Sequence, residues 1–275
     1  MKRLILCADD YGQNSAISQA IVELLREKRL SATSCLVTAP GWKDQAKWLE
    51  PLKNTADIGL HFNLTQGKPL SSQLPAFFPL KDLIINSNFK EIDKKQIGAE
   101  LRAQLEQFTN IFGQLPDFID GHQHVHQFPI IRDVIFEIYE ESLRANGSYV
   151  RCTFGSNRDL LNVMDVAFIK SLIIQLCGGI KFKAECIKRK IPHNSSFSGI
   201  YDFSNSIEYP QYFPRFLKQA EDGGLIMCHP GLLSAEESEV IAGARHNEYI
   251  YYSGQKFMRD MYSNEINLVR FNYLK

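Results

Sequence analysis

Two adjacent carboxylates, Asp9 and Asp10, follow the apolar run LILCA. His61 ends DIGLH, Asp120 closes PDFID with His122 two residues on, Arg151 lies in YVRC, and His229 ends LIMCH. Singly, each has a plainer reading: a strand-end Asp is often a helix N-cap, and a lone His is usually a satisfied structural residue. Five such ends favour one shared site. The densest signal is Asp120-Gly121-His122-Gln123-His124-Val125-His126. If this stretch is extended, alternate histidines project to one side. Neutral imidazole is a common divalent-metal ligand, and carboxylate plus imidazole suits a catalytic ion with open positions. One histidine of the block is expected to bind metal, and the others to orient it or touch substrate. Hydrolysis of an amide at neutral pH needs an activated water and a proton for the leaving nitrogen. One of the paired carboxylates can hold the ion while its neighbour takes the water's proton. His229, far along the chain, can protonate the departing amine.

The elements that must position these residues alternate between strand and helix. Leu4–Ala8, Thr33–Thr38, Asp57–Phe62, Asp117–Asp120, Tyr149–Thr153, Gly224–His229 and Asn267–Phe271 read as strands. Asn14 or Ser15 caps a helix carrying Ile17, Ala20, Ile21, Leu24 and Leu25. Further helices are expected at Trp42–Leu49, Ile97–Phe112, Ile130–Ala145, Val163–Leu176 and Phe213–Gln219, while 178–201 gives a weak signal. The polar, Pro-containing stretch Asn63–Phe89 reads as a long loop over the site. The pattern predicts one (β/α) barrel domain over 1–275, with catalysis at the C-terminal strand ends. A regular and a distorted barrel, with seven or eight strands, both fit.

The bulk composition agrees. A chain of 275 residues, 44% hydrophobic and 23% charged, is long for an ordinary domain but normal for an α/β barrel. Lys plus Arg and Asp plus Glu both number 31, so no basic excess points to nucleic acid or an anionic membrane. Six cysteines, Cys7, Cys35, Cys152, Cys177, Cys186 and Cys228, form no C-x-x-C pair and read as buried free thiols. That composition, and an N-terminus without a signal-peptide pattern, suit the cytoplasm.

The motifs ADDYG (8–12), GLHFNLT (59–65), QGKPL (66–70), DGHQHVHQFP (120–129) and MCHPG (227–231) make the chain resemble the YdjC-like carbohydrate deacetylases, which include chito-oligosaccharide deacetylases. The resemblance runs nearly the whole length, in order. It implies a barrel of the glycoside hydrolase/deacetylase type, shared with NodB-type polysaccharide deacetylases, and removal of an N-acetyl group from an amino sugar. It implies metal ligands at Asp10, His61 and His122, a general base at Asp9, an acid at His229, and Arg151 holding Asp9 charged. Tyr11, His124 and His126 are the expected substrate contacts. The family implies magnesium; ligand preference suits zinc, cobalt or manganese. The family block usually reads D-S-H-H-H-V-H, whereas this chain has Gly121 and Gln123, and CTF follows Arg151 in place of an L-P type segment.

Two other readings compete. A metal-dependent phosphoesterase on a similar barrel would need more cations than Arg151 and Lys68 supply. A non-catalytic carbohydrate-binding protein would stack sugars on Tyr11, Phe62 and Phe128, but need not keep Asp9, Asp10 and His229 together. The expected partner is an N-acetylated sugar, with no nucleic acid or membrane; monomer and homodimer are both open.

Overall fold

Strand β1 (Lys2–Tyr11) sets the frame, and its alternation separates two apolar layers. Leu4, Leu6 and Ala8 pack outward with Ile17, Ile21 and Leu24 of helix α1 (Ser15–Arg26). Ile5 and Cys7 turn inward, onto a second cluster containing Phe118, Tyr149, Met227 and Phe271. Burial on both faces is why the strand reads as a continuous apolar run. The computed structural model describes residues 1–155, 178–233 and 241–274. The helix expected at Val163–Leu176 and Cys177 lie outside them.

The other described strands are β2 (Ala32–Cys35), β3 (Asp57–Phe62), β4 (Phe118–Gly121), β5 (Tyr149–Val150), β6 (Phe197–Ser198), β7 (Gly224–Cys228) and β8 (Ile266–Leu268). They run in the order β5-β4-β3-β2-β1-β7-β6, all pairs parallel, with β8 also on β1. The sheet curls into a half-barrel. Its edges meet at an isolated bridge, Val150 to His193, where Val150 N–H donates to the Pro192 carbonyl at 2.9 Å. The barrel expectation is thus met in its distorted form.

The floor of the curl is aromatic. Phe118 stacks on Tyr149 at 4.9 Å and Tyr149 on Phe271 at 4.1 Å. Gly59 makes room for this plug, because a Cβ there would lie 2.4 Å from the Phe118 ring. Outside the sheet, the expected Trp42–Leu49 helix is α-helical only over Trp42–Gln45 (α2) and continues as a 3-10 turn; Phe108 of α4 (Lys94–Phe112) stacks on its Trp42, with centroids 5.4 Å apart. Asn14 caps α1 by accepting from Ile17 N at 2.8 Å, as expected.

Several boundaries differ from the sequence reading. β2 stops at Cys35, well before Thr38. The helix expected through Ala145 is α-helical over Ile131–Ile138 (α5), then widens into a π turn at Tyr139–Leu143. Not all of Asn63–Phe89 is loop. Leu80–Phe89 forms helix α3, which buries Leu83 and ends at Lys90 in the left-handed region. The weak 178–201 region holds α6 (Ile180–Arg189) and β6. Helix α7 (Tyr209–Gln219) starts one turn earlier than expected. Near the C-terminus lie α8 (Ala242–Ser253) and α9 (Gln255–Ser263). Phe271 leaves the last strand for a 3-10 turn and joins the aromatic floor. Cys7, Cys35, Cys152, Cys186 and Cys228 are buried free thiols, as read from the sequence. No described helix is long and apolar enough to cross a membrane.

Candidate active site

Above the aromatic floor the inward positions turn polar. Alternation carries β1 from Ile5 and Cys7 to Asp9, β4 from Phe118 to Asp120, and β5 from Tyr149 to Arg151. Arg151 is fully buried and grips Asp9 with both amino groups: Nη1 donates to Oδ2 at 2.7 Å and Nη2 to Oδ1 at 2.6 Å. Nη2 also lies 2.7 Å from Asp120 Oδ2. Burial would lower the Arg151 pKa, but Asp120 and Asp9 hold the guanidinium well above its ordinary value. Burial likewise raises Asp120, yet Arg151 and His61 outweigh it and keep the carboxyl well below the usual range.

Asp10 should point outward by simple alternation. A register shift in β1 between Ala8 and Tyr11 prevents this, and Asp10 takes φ +67°. The strained residue turns its carboxylate back into the interior, beside that of Asp9. Adjacent acids thereby serve one site. Tyr11 then resumes the outward direction. It is fully buried against Trp42, with its hydroxyl donating to the Gln45 carbonyl at 2.7 Å. That corrects the expectation of Tyr11 as a substrate contact: it is a core residue.

The histidine block is not extended, contrary to the expectation of alternate side chains on one face. His122–Gln127 coils as a 3-10 turn, with Gln123 at φ 53° and His124 at φ 61°. Gly121 lets the turn close, because a Cβ there would sit 2.9 Å from His126 N. The three histidines therefore take three directions. His122 Nδ1 reaches Asp10 Oδ1 at 3.0 Å and is partly exposed. His124 is buried, edge-on to Phe197. His126 is buried further back and donates from Nε2 to the Arg151 carbonyl at 3.0 Å. It supports the arginine rather than reaching substrate, which corrects its expected role.

His61 completes the cluster. Its Nδ1 donates to Asp120 Oδ1 at 2.7 Å, which aims Nε2 at Asp10 Oδ1, 3.4 Å away. Ser34 Oγ donates to the same Asp120 oxygen at 2.5 Å. Burial would lower the His61 pKa, but Asp120, Asp9 and the hydrogen bonds raise it to about 10. Burial pushes Asp10 up, and Arg245 and His122 more than reverse this, holding it well below its ordinary value.

Asp10, His61 and His122 offer ligand atoms all within 4.8 Å of one another. Donors ~2.1 Å from one ion lie ~2.9–3.4 Å apart; the two pairs above are 3.0 and 3.4 Å. The carboxylate behind His61 is the usual backing of a metal-bound imidazole. The donor set thus fits a divalent ion. Asp9, His61 and Asp120 also cluster, but Arg151 already joins both acids.

The sequence model of the YdjC-like protein family matches residues 3–263. The chain belongs to this family. Among its relatives are a carbohydrate deacetylase of Danio rerio and a chitooligosaccharide deacetylase of Proteus mirabilis. Each is 33% identical over 148 residues, 50% of this chain, covering 47% and 55% of the relative respectively. The chain spans about half the length of the curated relatives it matches. An Enterococcus faecalis V583 protein, described as a candidate for cellobiose-phosphate cleavage, superposes with a TM-score of 0.71 at 21% identity, over 99% of this chain and 98% of that one. A peptidoglycan N-acetylglucosamine deacetylase superposes at 0.52 with 10% identity, over 99% and 87%. At these identities the two structures show a shared fold.

The family member also carries site residues that sequence reasoning passed over, on α8. Arg245 Nη2 donates to Asp10 Oδ2 at 2.6 Å. Glu248 accepts from His229 N at 2.5 Å and from Tyr201 Oη at 2.6 Å. Burial raises Glu248 to about 7, against the pull of these donors. The available signal was the charged pair, three apart on one helical face, within AGARHNEYIYY. His229 itself sits edge-on to Phe203, and burial lowers it to about 4 against the opposing charges of Asp10 and Asp9.

Proposed function

We propose that this protein is a metal-dependent carbohydrate N-deacetylase, hydrolysing the N-acetyl group of an N-acetylated amino sugar or chito-oligosaccharide to acetate and a free amine. One observation carries the reading: the Asp10, His61 and His122 donors converge beside an aspartate, Asp9, that Arg151 clamps in place. The names of the Danio rerio and Proteus mirabilis relatives support it. A divalent ion such as magnesium or zinc, held by Asp10, His61 and His122, would polarise the acetyl carbonyl and acidify a water. Asp9 accepts the proton of the attacking water, with Arg151 keeping the carboxylate ionised and oriented. His229 delivers a proton to the leaving nitrogen. Its lowered pKa leaves the resting imidazole neutral, so the proton that Asp9 takes from the attacking water would pass through His229 to the nitrogen. His124, slightly less buried than His126, is the proposed substrate contact of the block. Residues 1–275 act as one unit, and buried free thiols suit a cytoplasmic setting.

Two observations disfavour the competing readings. Arg151 and Arg245 are both bound to site carboxylates, which leaves little for a phosphate. Tyr11, Phe62 and Phe128 are buried core residues, so they offer no stacking platform to a binding protein. The test is acetate and amine release from N-acetylated chitobiose, with p-nitrophenyl phosphate as the contrasting substrate. His61→Ala and His122→Ala should lose bound metal and acetate release together. Full metal occupancy in both variants removes the proposed site; phosphate release without acetate replaces the reaction.

A further inference from the structure

Successive residues after β5 face opposite sides of the sheet. Arg151 enters the interior, onto Asp9 and Asp120. Cys152 faces outward, where its Sγ lies 3.8 Å from Sγ of Cys186 on α6. His193 is the bridge partner of Val150, so its side chain emerges on the same outer side as Val150 and Cys152. The ligand atoms of Cys152, Cys186 and His193 all lie within 4.8 Å of one another. Both cysteines are fully buried, and His193 is half-buried.

We propose that Cys152, Cys186 and His193 form a second metal site, selective for a thiophilic ion of the zinc type, on the face of the sheet opposite the Asp10–His61–His122 cluster. The sulfur spacing agrees: two sulfurs ~2.3 Å from a tetrahedral zinc stand ~3.8 Å apart. A disulfide would need the sulfurs to close to ~2.0 Å. In His193, Nδ1 donates to the Ile191 carbonyl at 2.7 Å, so the ring's lone pair is on Nε2. Two sulfurs and one imidazole select zinc over the magnesium class.

The location explains what such an ion would do. Among the described residues the sheet edges are joined here by the Val150 bridge and the Asn194 amide. Asn194 Oδ1 accepts from Cys152 N at 2.8 Å, and its Nδ2 donates to the Cys152 carbonyl at 2.9 Å. An ion on Cys152, Cys186 and His193 would tie β5, α6 and the segment entering β6 across that seam. Arg151, next in the chain, would be steadied with it.

Cobalt(II) separates the two centres, because only thiolate ligands give an intense ligand-to-metal charge-transfer band in the near ultraviolet. Metal-stripped, reduced protein titrated with cobalt should bind two ions per chain and show that band. Cys186→Ser and His193→Gln should each lose one equivalent, the first abolishing the band and the second weakening it. His122→Ala should keep the band and lose the other equivalent. Zinc should raise the melting temperature of His122→Ala and not that of the double variant His122→Ala, His193→Gln. The His193 variant leaves the buried thiols intact, so the test stands even if Cys186→Ser folds poorly. Absence of the band at saturating cobalt overturns the proposal. So does a band undiminished in His193→Gln, or a mass two hydrogens lower in protein kept unreduced, which would mean a Cys152–Cys186 disulfide.

Discussion

The two ends of the sheet interior use the same parts for different ends. At the C-terminal strand ends, Arg151 joins Asp9 and Asp120. At the other end, Arg270 joins Asp57 at 2.8 Å and Asp117 at 3.4 Å. Yet Asp120 is held well below the usual carboxylate range, while burial raises Asp57 and pushes Asp117 up to about 6. Arg151 meets both of its acids closely and His61 adds a second donor, whereas Arg270 has one close contact and one long one. The lower acids also accept from backbone: Phe271 N donates to Asp57 at 2.7 Å and Ile58 N to Asp117 at 2.8 Å. They pin the C-terminal segment under the aromatic floor. A buried Asp–Arg cluster is therefore not a site by itself; converging imidazoles at the strand ends make one.

The sharpest division between the ends comes from Asp9→Asn. It should retain metal and fold while kcat falls about 10²–10⁴-fold. Measuring metal content beside kcat decides it, and near wild-type turnover would put the base elsewhere. At the lower end, Arg270→Ala should cost about 3 kcal/mol of stability by stranding Asp57. kcat below the melting transition should be unchanged. Denaturant unfolding with parallel kinetics checks both halves, and a loss of kcat at full folding would erase the contrast.

A smaller effect is expected from Asp120→Asn, which weakens the backing of His61. Metal affinity should fall about 10–100-fold, read by competition with a chelator. The native Asp120 carboxyl is depressed, so its stabilisation is present above the unfolded value of ~3.9 and lost as pH falls through the folded value. The variant should have a flatter acid limb. Asp117 has the opposite sign. Its folded value of about 6 lies above the unfolded one, so stability falls as pH rises between the two. Asp117→Asn should gain up to about 1 kcal/mol at pH 8 and nothing near pH 4. Melting temperatures at the two pH values test this, and an equal gain at both would show that charge is not the cause.

Much of the site was legible because parallel βα units place strand C-termini together. Asp9, His61, Asp120, Arg151 and His229 could be read from apolar runs that end in a polar residue. The floor was less legible: Phe271 looked like strand, and only its stacking on Tyr149 assigns it to the plug. Helix α3 was hidden in a Pro-containing polar stretch, since few of its side chains are buried and periodicity reports burial. The histidine block misled for a different reason. Side-chain alternation presumes extended backbone, and Gln123 and His124 adopt left-handed angles instead.

Residue type and order alone determined that carboxylates and imidazoles would meet at the strand ends, because chain direction and the two-residue period of a strand are local properties. Tertiary structure alone decided which atoms face which. Asp10 joins Asp9 only through a strained turn at φ +67°. Arg245 reaches Asp10 from 235 positions away in the chain. Such contacts depend on how α8 packs against the curled sheet, and packing geometry has no period to read in the sequence.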